Sequence, residues 1–247
     1  MGQYTSFAAV YDMFMDNVPY DQWTDYLVHL LNKYGIHEGL ILELACGTGS
    51  MTRRLSNKGF DMIGIDSSEE MLTIARDKSA DKDSSILYLC QDMREFELFG
   101  TVAAVVSVCD SMNYITSEED LLDIFKLVNN YLDPKGLFIF DLDTEYAYKE
   151  IIADQTIAES REEGCFIWEN TYYEEEMINQ IDLTLFIPAE EKNSNNLFVR
   201  QEETHYRRAY SIDTIKRLIE KAGMEWVTAF HTLSEDAPRK DSERIYV

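Results

Sequence analysis

The sequence predicts an α/β fold built on a mostly parallel sheet, with an antiparallel β-meander inserted late in the chain. Three observations carry that reading. Between Leu40 and about Asp143, short apolar runs alternate with stretches of helical periodicity, a rhythm that implies parallel strands joined by right-handed crossovers. The first run, Leu40–Leu44, is apolar except for Glu43 and enters a small-residue turn, Ala45-Cys46-Gly47-Thr48-Gly49. From 164 to 209 the rhythm changes to three β-branched and aromatic runs, Cys165–Tyr173, Met177–Ile187 and Leu197–Tyr206, with turn-like segments at 174–176 and 189–196 between them.

The bulk properties bound what such a fold can do. A chain of 247 residues can bury one sizeable core. Its net charge of −24 opposes the phosphate neutralisation that nucleic-acid binding needs, so no nucleic-acid partner is expected. The cysteines at 46, 90, 109 and 165 show no C-x-x-C spacing, and they read as free thiols, three of them buried at strand-like runs, in a reducing compartment. No metal site is expected. No apolar run approaches the ~18 residues of a membrane span, and no signal-peptide pattern opens the chain. The N-terminal Met1-Gly2 matches a loose myristoylation pattern, but without a basic patch a single acyl chain holds a membrane poorly. A cytoplasmic protein, monomeric or homodimeric, is the expectation.

In chain order, two helices open the sequence, Tyr4–Met15 and Tyr20–Tyr34, broken at Asn17-Val18-Pro19. Tyr4, Phe7, Tyr11 and Phe14 share one helical face and pack on a core. Tyr11 and Trp23 are candidates for a lid over a ligand. After the first strand, Gly47 and Gly49 let the chain turn sharply and let a ligand approach without meeting a Cβ. The second strand, Asp61–Ile65, ends at Asp66, 19 residues past Gly47, where a carboxylate can accept both hydroxyls of a ribose. Ser67 and Glu70 are spaced as a capping box for the next helix. A third strand, Ser85–Cys90, ends at Gln91-Asp92-Met93-Arg94, and a fourth, Thr101–Val108, at Cys109-Asp110-Ser111-Met112-Asn113-Tyr114. A helix follows Thr116-Ser117-Glu118-Glu119. Asp133-Pro134-Lys135-Gly136 reads as a turn, with proline fixing one φ and glycine permitting a positive one, before the strand Leu137–Asp141. Beyond the meander, Ser211 starts a helix with Ile215, Leu218, Ile219 and Ala222 on one face and Gly223 at its end. Met224–Phe230 and Arg244–Val247 finish as short strands.

The first turn is of the dinucleotide-binding, Rossmann-like type, yet two residues set it apart. Glu43 would repel a pyrophosphate and suits a cationic ligand, and Thr52 stands where the third glycine of G-x-G-x-x-G belongs. The stretch LILELACGTGSMT resembles motif I of the class I S-adenosylmethionine-dependent methyltransferases. FAAVYDMFMDNVPYDQW looks like the start of a bacterial subgroup related to the amino-sugar N,N-dimethyltransferases, and DMREFEL recurs in that family.

The resemblance implies a seven-stranded sheet whose last strand is antiparallel, and S-adenosylmethionine as cofactor. It also implies a helical cap at 1–36, a cofactor-binding unit at 37–150 with 210–247, and an acceptor-side β unit at 151–209. By the same match the cofactor is held by Trp23, Glu43, Ala45, Gly47, Gly49, Asp66, Ser67, Met71, Asp92, Met93 and Cys109. Tyr11 and Asp110 are the expected catalytic residues. Asp92 and the Met93 N–H would address adenine, with Met71 and Met93 as an apolar wall. Tyr114 stands where the amino-sugar relatives carry a histidine, a departure that leaves open whether substrate or base is shared. The expected acceptor is a small molecule, methylated on nitrogen or oxygen. A hydroxyl acceptor needs a base, for which Asp110, Tyr11, His205 and His231 are candidates. A non-catalytic S-adenosylmethionine-binding protein and an NAD-dependent oxidoreductase are the competing readings.

Overall fold

A computed structural model describes residues 8–80, 86–162, 164–189 and 197–247. The expected starts at Tyr4 and Ser85 and most of the turn at 189–196 lie outside the described residues. Strand β1 (Leu40–Leu44) lies inside a seven-stranded sheet, between β2 (Asp61–Asp66) and β4 (Val102–Ser107), both parallel to it. β3 (Leu87–Cys90) extends the sheet beyond β2, and β5 (Leu132–Asp143) extends it beyond β4. β11 (Arg244–Tyr246) joins β5 antiparallel, and β10 (Phe230–His231) closes that edge, giving the order β10-β11-β5-β4-β1-β2-β3. The last strand is the antiparallel one, as expected.

Buried apolar residues alternate between the sheet's two faces because successive strand side chains point opposite ways. Ile41, Met62, Ala104, Val106 and Ile139 pack against α2 (Tyr20–Lys33) and α3 (Ser50–Asn57). Leu42, Leu44, Ile65, Val105 and Phe140 pack under α5 (Glu118–Tyr131) and α6 (Ile212–Lys221). The caps follow from sequence. Ser117 accepts from the N–H groups of Glu119 and Asp120, and Ser211 from that of Thr214. Ahead of α4 (Glu69–Ser79) the cap is Ser68, which accepts from Met71 N–H, so the box expected at Ser67 is displaced by one residue.

A second sheet is antiparallel, in the order β6-β7-β8-β9: β6 (Thr156–Arg161), β7 (Gly164–Tyr173), β8 (Ile178–Pro188) and β9 (Phe198–Arg208). It has one strand more than expected. Its inner face buries Phe166, Ile181, Leu183 and Leu185 against Val10 and Phe14 of α1 (Ala8–Phe14), with the Phe14 and Phe166 rings edge-to-face at 4.6 Å. β6 carries Glu159, Ser160 and Arg161, so it lacks the apolar alternation that reveals a strand. Its Arg161 instead donates to the Met13 carbonyl and pairs with Asp16 at 2.7 Å.

Three further expectations change. Asp133–Gly136 bulges out within β5, with Leu132 opposite Val102 and Leu137 opposite Ala104. The positive φ there belongs to Lys135 (70°), and Gly136 is needed for room, since a Cβ would lie 2.9 Å from the Asp133 carbonyl. Of Met224–Phe230 only Phe230 enters the sheet, because β11 offers partners to Phe230 and His231 alone. Cys90 is exposed at the end of edge strand β3, while Cys46 is buried and Cys109 half-buried.

Candidate active site

At the carboxyl ends of β1, β2 and β4, where the strand order reverses, a cleft opens. This is where open α/β sheets bind ligands. Its floor is the turn after β1, where Ala45, Gly47 and Gly49 take positive φ (54°, 52° and 71°). At Gly47 a Cβ would meet nothing within 4 Å, so its backbone is open to the cleft. Gly49 has no such room, since a Cβ there would lie 2.5 Å from the Tyr88 hydroxyl. One glycine serves approach and the other serves packing.

Glu43 and Asp66 face this floor. Glu43 is buried and accepts from the Thr52 hydroxyl, so the threonine in the third-glycine position supplies the donor that a buried carboxylate needs. Desolvation pushes the Glu43 pKa up to about 8, opposed by the Thr52 hydrogen bond and increased by the nearby Asp66 charge. Asp66 Oδ2 accepts from Gly47 N–H at 2.8 Å and Oδ1 from Ser68 N–H at 2.9 Å, which locks the turn to the end of β2. Burial raises the Asp66 pKa as well, against those backbone donors. A carboxylate offers about four lone-pair directions, so Asp66 retains acceptor capacity toward the cleft.

Of the expected residues, Tyr11, Glu43, Ala45, Gly47, Asp66, Ser67, Met71, Met93 and Cys109 line the cleft together. Gly49, Trp23, Asp92 and Asp110 are not among its lining. Trp23 is buried in the core, edge-on to Tyr20, with the Arg244 guanidinium 5.1 Å over its ring. Asp92 is turned onto Arg94, whose Nε donates to both carboxylate oxygens at 3.0 and 3.1 Å and lowers its pKa. Asp110 has both oxygens engaged, Oδ2 by Arg207 Nη1 at 2.5 Å and Oδ1 by Arg244 Nη2 at 3.0 Å. His231, on β10, bonds Ser242 at 2.8 Å away from the cleft. His205 is buried on β9, edge-on to Tyr114 at 6.0 Å.

Sequence reasoning missed Tyr20, Thr48, Ser50, Met51 and Val108, all of which line the cleft. Tyr20 had a signal. It follows the Asn17-Val18-Pro19 break and opens α2, and it lines the same space as Tyr11 and Cys109.

The lining fits S-adenosylmethionine. Glu43 offers a carboxyl whose ionised form a cationic ligand would favour, Asp66 offers acceptors to a ribose, and Met71 and Met93 offer an apolar wall to a flat base. Residues 41–136 match the family described as Methyltransferase domain. The chain is 35% identical over 244 residues to YqeM of Bacillus subtilis (strain 168), whose name designates it a methyltransferase, covering 98% of this chain and 95% of YqeM. A similarly named protein of Geobacillus sp. (strain WCH70) is 32% identical over 247 residues, covering 98% and 97%. Over 41% of each chain there is 33% identity to the dTDP-3-amino-3,4,6-trideoxy-alpha-D-glucopyranose N,N-dimethyltransferase of Streptomyces venezuelae. Among solved structures, an S-adenosylmethionine-dependent methyltransferase from Clostridium acetobutylicum ATCC 824 superposes with a TM-score of 0.85 at 26% identity, covering 99% of this chain and 97% of that one. The chain belongs to the class I S-adenosylmethionine-dependent methyltransferases.

Proposed function

We propose that this enzyme methylates a small-molecule amine in the cleft at the carboxyl ends of β1, β2 and β4. The observation that carries the reading is the grouping of two kinds of residue around one space. Glu43, Gly47, Asp66, Met71 and Met93 offer a nucleoside with a positive charge what it needs. Tyr11, Tyr20, Ser111 and Tyr114 line the same cleft and offer hydroxyls to an acceptor. When bound, S-adenosylmethionine supplies an electrophilic methyl on a sulfonium. The chain aligns the acceptor with it and keeps water out, and proximity supplies most of the rate.

An amine is preferred over a hydroxyl because two of the candidate bases, Asp110 and His231, lie outside the cleft lining and are hydrogen-bonded elsewhere. A neutral amine attacks without a base, whereas a hydroxyl must lose its proton. Asp110 is occupied by two arginines, and Tyr20 has its pKa raised by burial. The Streptomyces venezuelae relative is named for dimethylation of an amino sugar, in keeping with this choice. In this reading Tyr11 contacts the acceptor, Asp110 supports the wall behind it, and Trp23 and Asp92 act outside the cleft. The residues 1–36 form the cap, 37–150 with 210–247 bind the cofactor, and 151–209 serve the acceptor side, in a cytoplasmic protein that does not bind nucleic acid.

The test is formation of S-adenosylhomocysteine from S-adenosylmethionine across a panel of primary amines, each paired with its hydroxyl analogue. Turnover with amines alone is the expected result. Turnover with hydroxyls alone would overturn the amine assignment. Cofactor binding without turnover across a broad panel would favour a non-catalytic S-adenosylmethionine-binding role.

A further inference from the structure

We infer that Arg207 is a positioning residue, which fixes through Asp110 the segment 109–116 that walls the acceptor side of the cleft. The inference rests on the reading of that wall given above. Cys109 and Asp110 are consecutive non-glycine residues with left-handed backbone, φ 63° and 53°. Such backbone persists only where its surroundings over-determine it. Part of the constraint comes from β5, where Asp141 accepts from the N–H groups of Cys109 at 3.2 Å and Asp110 at 2.8 Å. Asn113 adds to it, exchanging hydrogen bonds with the Asp143 backbone.

The rest comes from the end of β9 and the residues after it. Arg207 Nη1 donates to Asp110 Oδ2, the Arg208 carbonyl accepts from Asn113 Nδ2 at 2.9 Å, and Arg208 Nη1 donates to the Thr116 carbonyl at 2.9 Å. The Tyr210 hydroxyl donates to the Ile115 carbonyl. Four successive places along the wall are therefore held by three residues of one short stretch, 207–210.

The Arg207 guanidinium reaches two residues of the wall by its side chain alone. It pairs with Asp110 and also lies 5.9 Å from the ring of Tyr114, which lines the cleft. The rings of Trp168 and Tyr148 close around it at 5.5 and 5.7 Å. It is buried, so water does not screen the pair. Among the described residues, the three carboxylates Asp110, Asp141 and Asp143 pair with Arg207 and Arg244, and removing Arg207 leaves Arg244 as their cationic partner there. The four-stranded sheet thereby sets the shape of the cleft wall.

Amide hydrogen exchange read by mass spectrometry tests this on the full chain, with and without saturating S-adenosylmethionine. Arg207→Met, Arg207→Lys and the double variant Asp110→Asn/Arg207→Met are compared with the unaltered protein, alongside melting temperatures and titration of S-adenosylmethionine. Arg207→Met is expected to speed exchange at least tenfold in 108–116. Exchange in 40–66 and cofactor affinity should stay within threefold. Arg207→Lys should restore most of the protection. The double variant, which removes the uncompensated carboxylate, should recover melting temperature without recovering protection. Unchanged exchange in 108–116 of folded Arg207→Met would overturn the proposal. So would recovery of both properties in the double variant, since Arg207 would then serve charge balance alone. If S-adenosylmethionine fails to bind the unaltered protein, the functional reading falls, and the exchange measured without it still decides the role of Arg207.

Discussion

Glu43 lies buried in β1, with the Thr52 hydroxyl as donor and the Asp66 charge nearby, and its pKa rises from about 4.5 to about 8. Between those values the folded protein binds a proton that the unfolded chain does not. Stability from this group is therefore lost as pH rises from about 4.5 to 8. Asp141, raised to about 7 chiefly by desolvation, acts with the same sign. Glu43→Gln is expected to raise unfolding free energy at pH 8 by about 1–3 kcal/mol, with a flatter pH dependence in urea melts. The same substitution should weaken S-adenosylmethionine binding most above pH 8, where Glu43 is ionised and faces the cationic ligand. A variant that is destabilised yet binds normally would contradict both parts. For Asp66→Ala, loss of the ribose acceptors should cost about 1–3 kcal/mol of cofactor binding in a titration. Tyr11→Phe, by contrast, should leave that affinity nearly intact and lower turnover once an acceptor is in hand.

At the scale of elements, the turn after β1 depends on what packs beneath it. Gly49 lies against Tyr88, and Gly64, in register with Glu43, would place a Cβ 2.9 Å from Cys46 Sγ. Gly49→Ala combines this close contact with a positive φ. It should destabilise the fold by about 1–3 kcal/mol, read as a lowered denaturation midpoint. The strands and helices of the nucleotide-binding half were legible in the sequence because each is buried on both faces or amphipathic, and so carries its periodicity. β6 was not, because an edge strand bearing Glu159, Ser160 and Arg161 satisfies its side chains by ion pairs. The bulge in β5 was read as a turn for a similar reason, since Pro134 and Gly136 signal a bend without saying that the strand resumes in register. Of the residues carried by motif, Glu43, Ala45, Gly47 and Asp66 line the cleft. Tyr20 and Arg207 were not found, because their roles depend on contacts across the fold, Arg207 with Asp110 at a separation of 97 residues.

For the whole molecule, the functional account rests on the cleft where β1 meets β2 and β4, bordered on the acceptor side by residues held from the four-stranded sheet. A net charge of −24 favours a cationic ligand over a pyrophosphate at that place. Glu43 and Thr52 act in the same direction locally. The most direct measurement is isothermal titration of the protein with S-adenosylmethionine, with NADH as the control ligand. Saturable binding of S-adenosylmethionine alone is the result predicted. Binding of NADH in preference, or of neither ligand, would contradict the assignment of this cleft as the cofactor site.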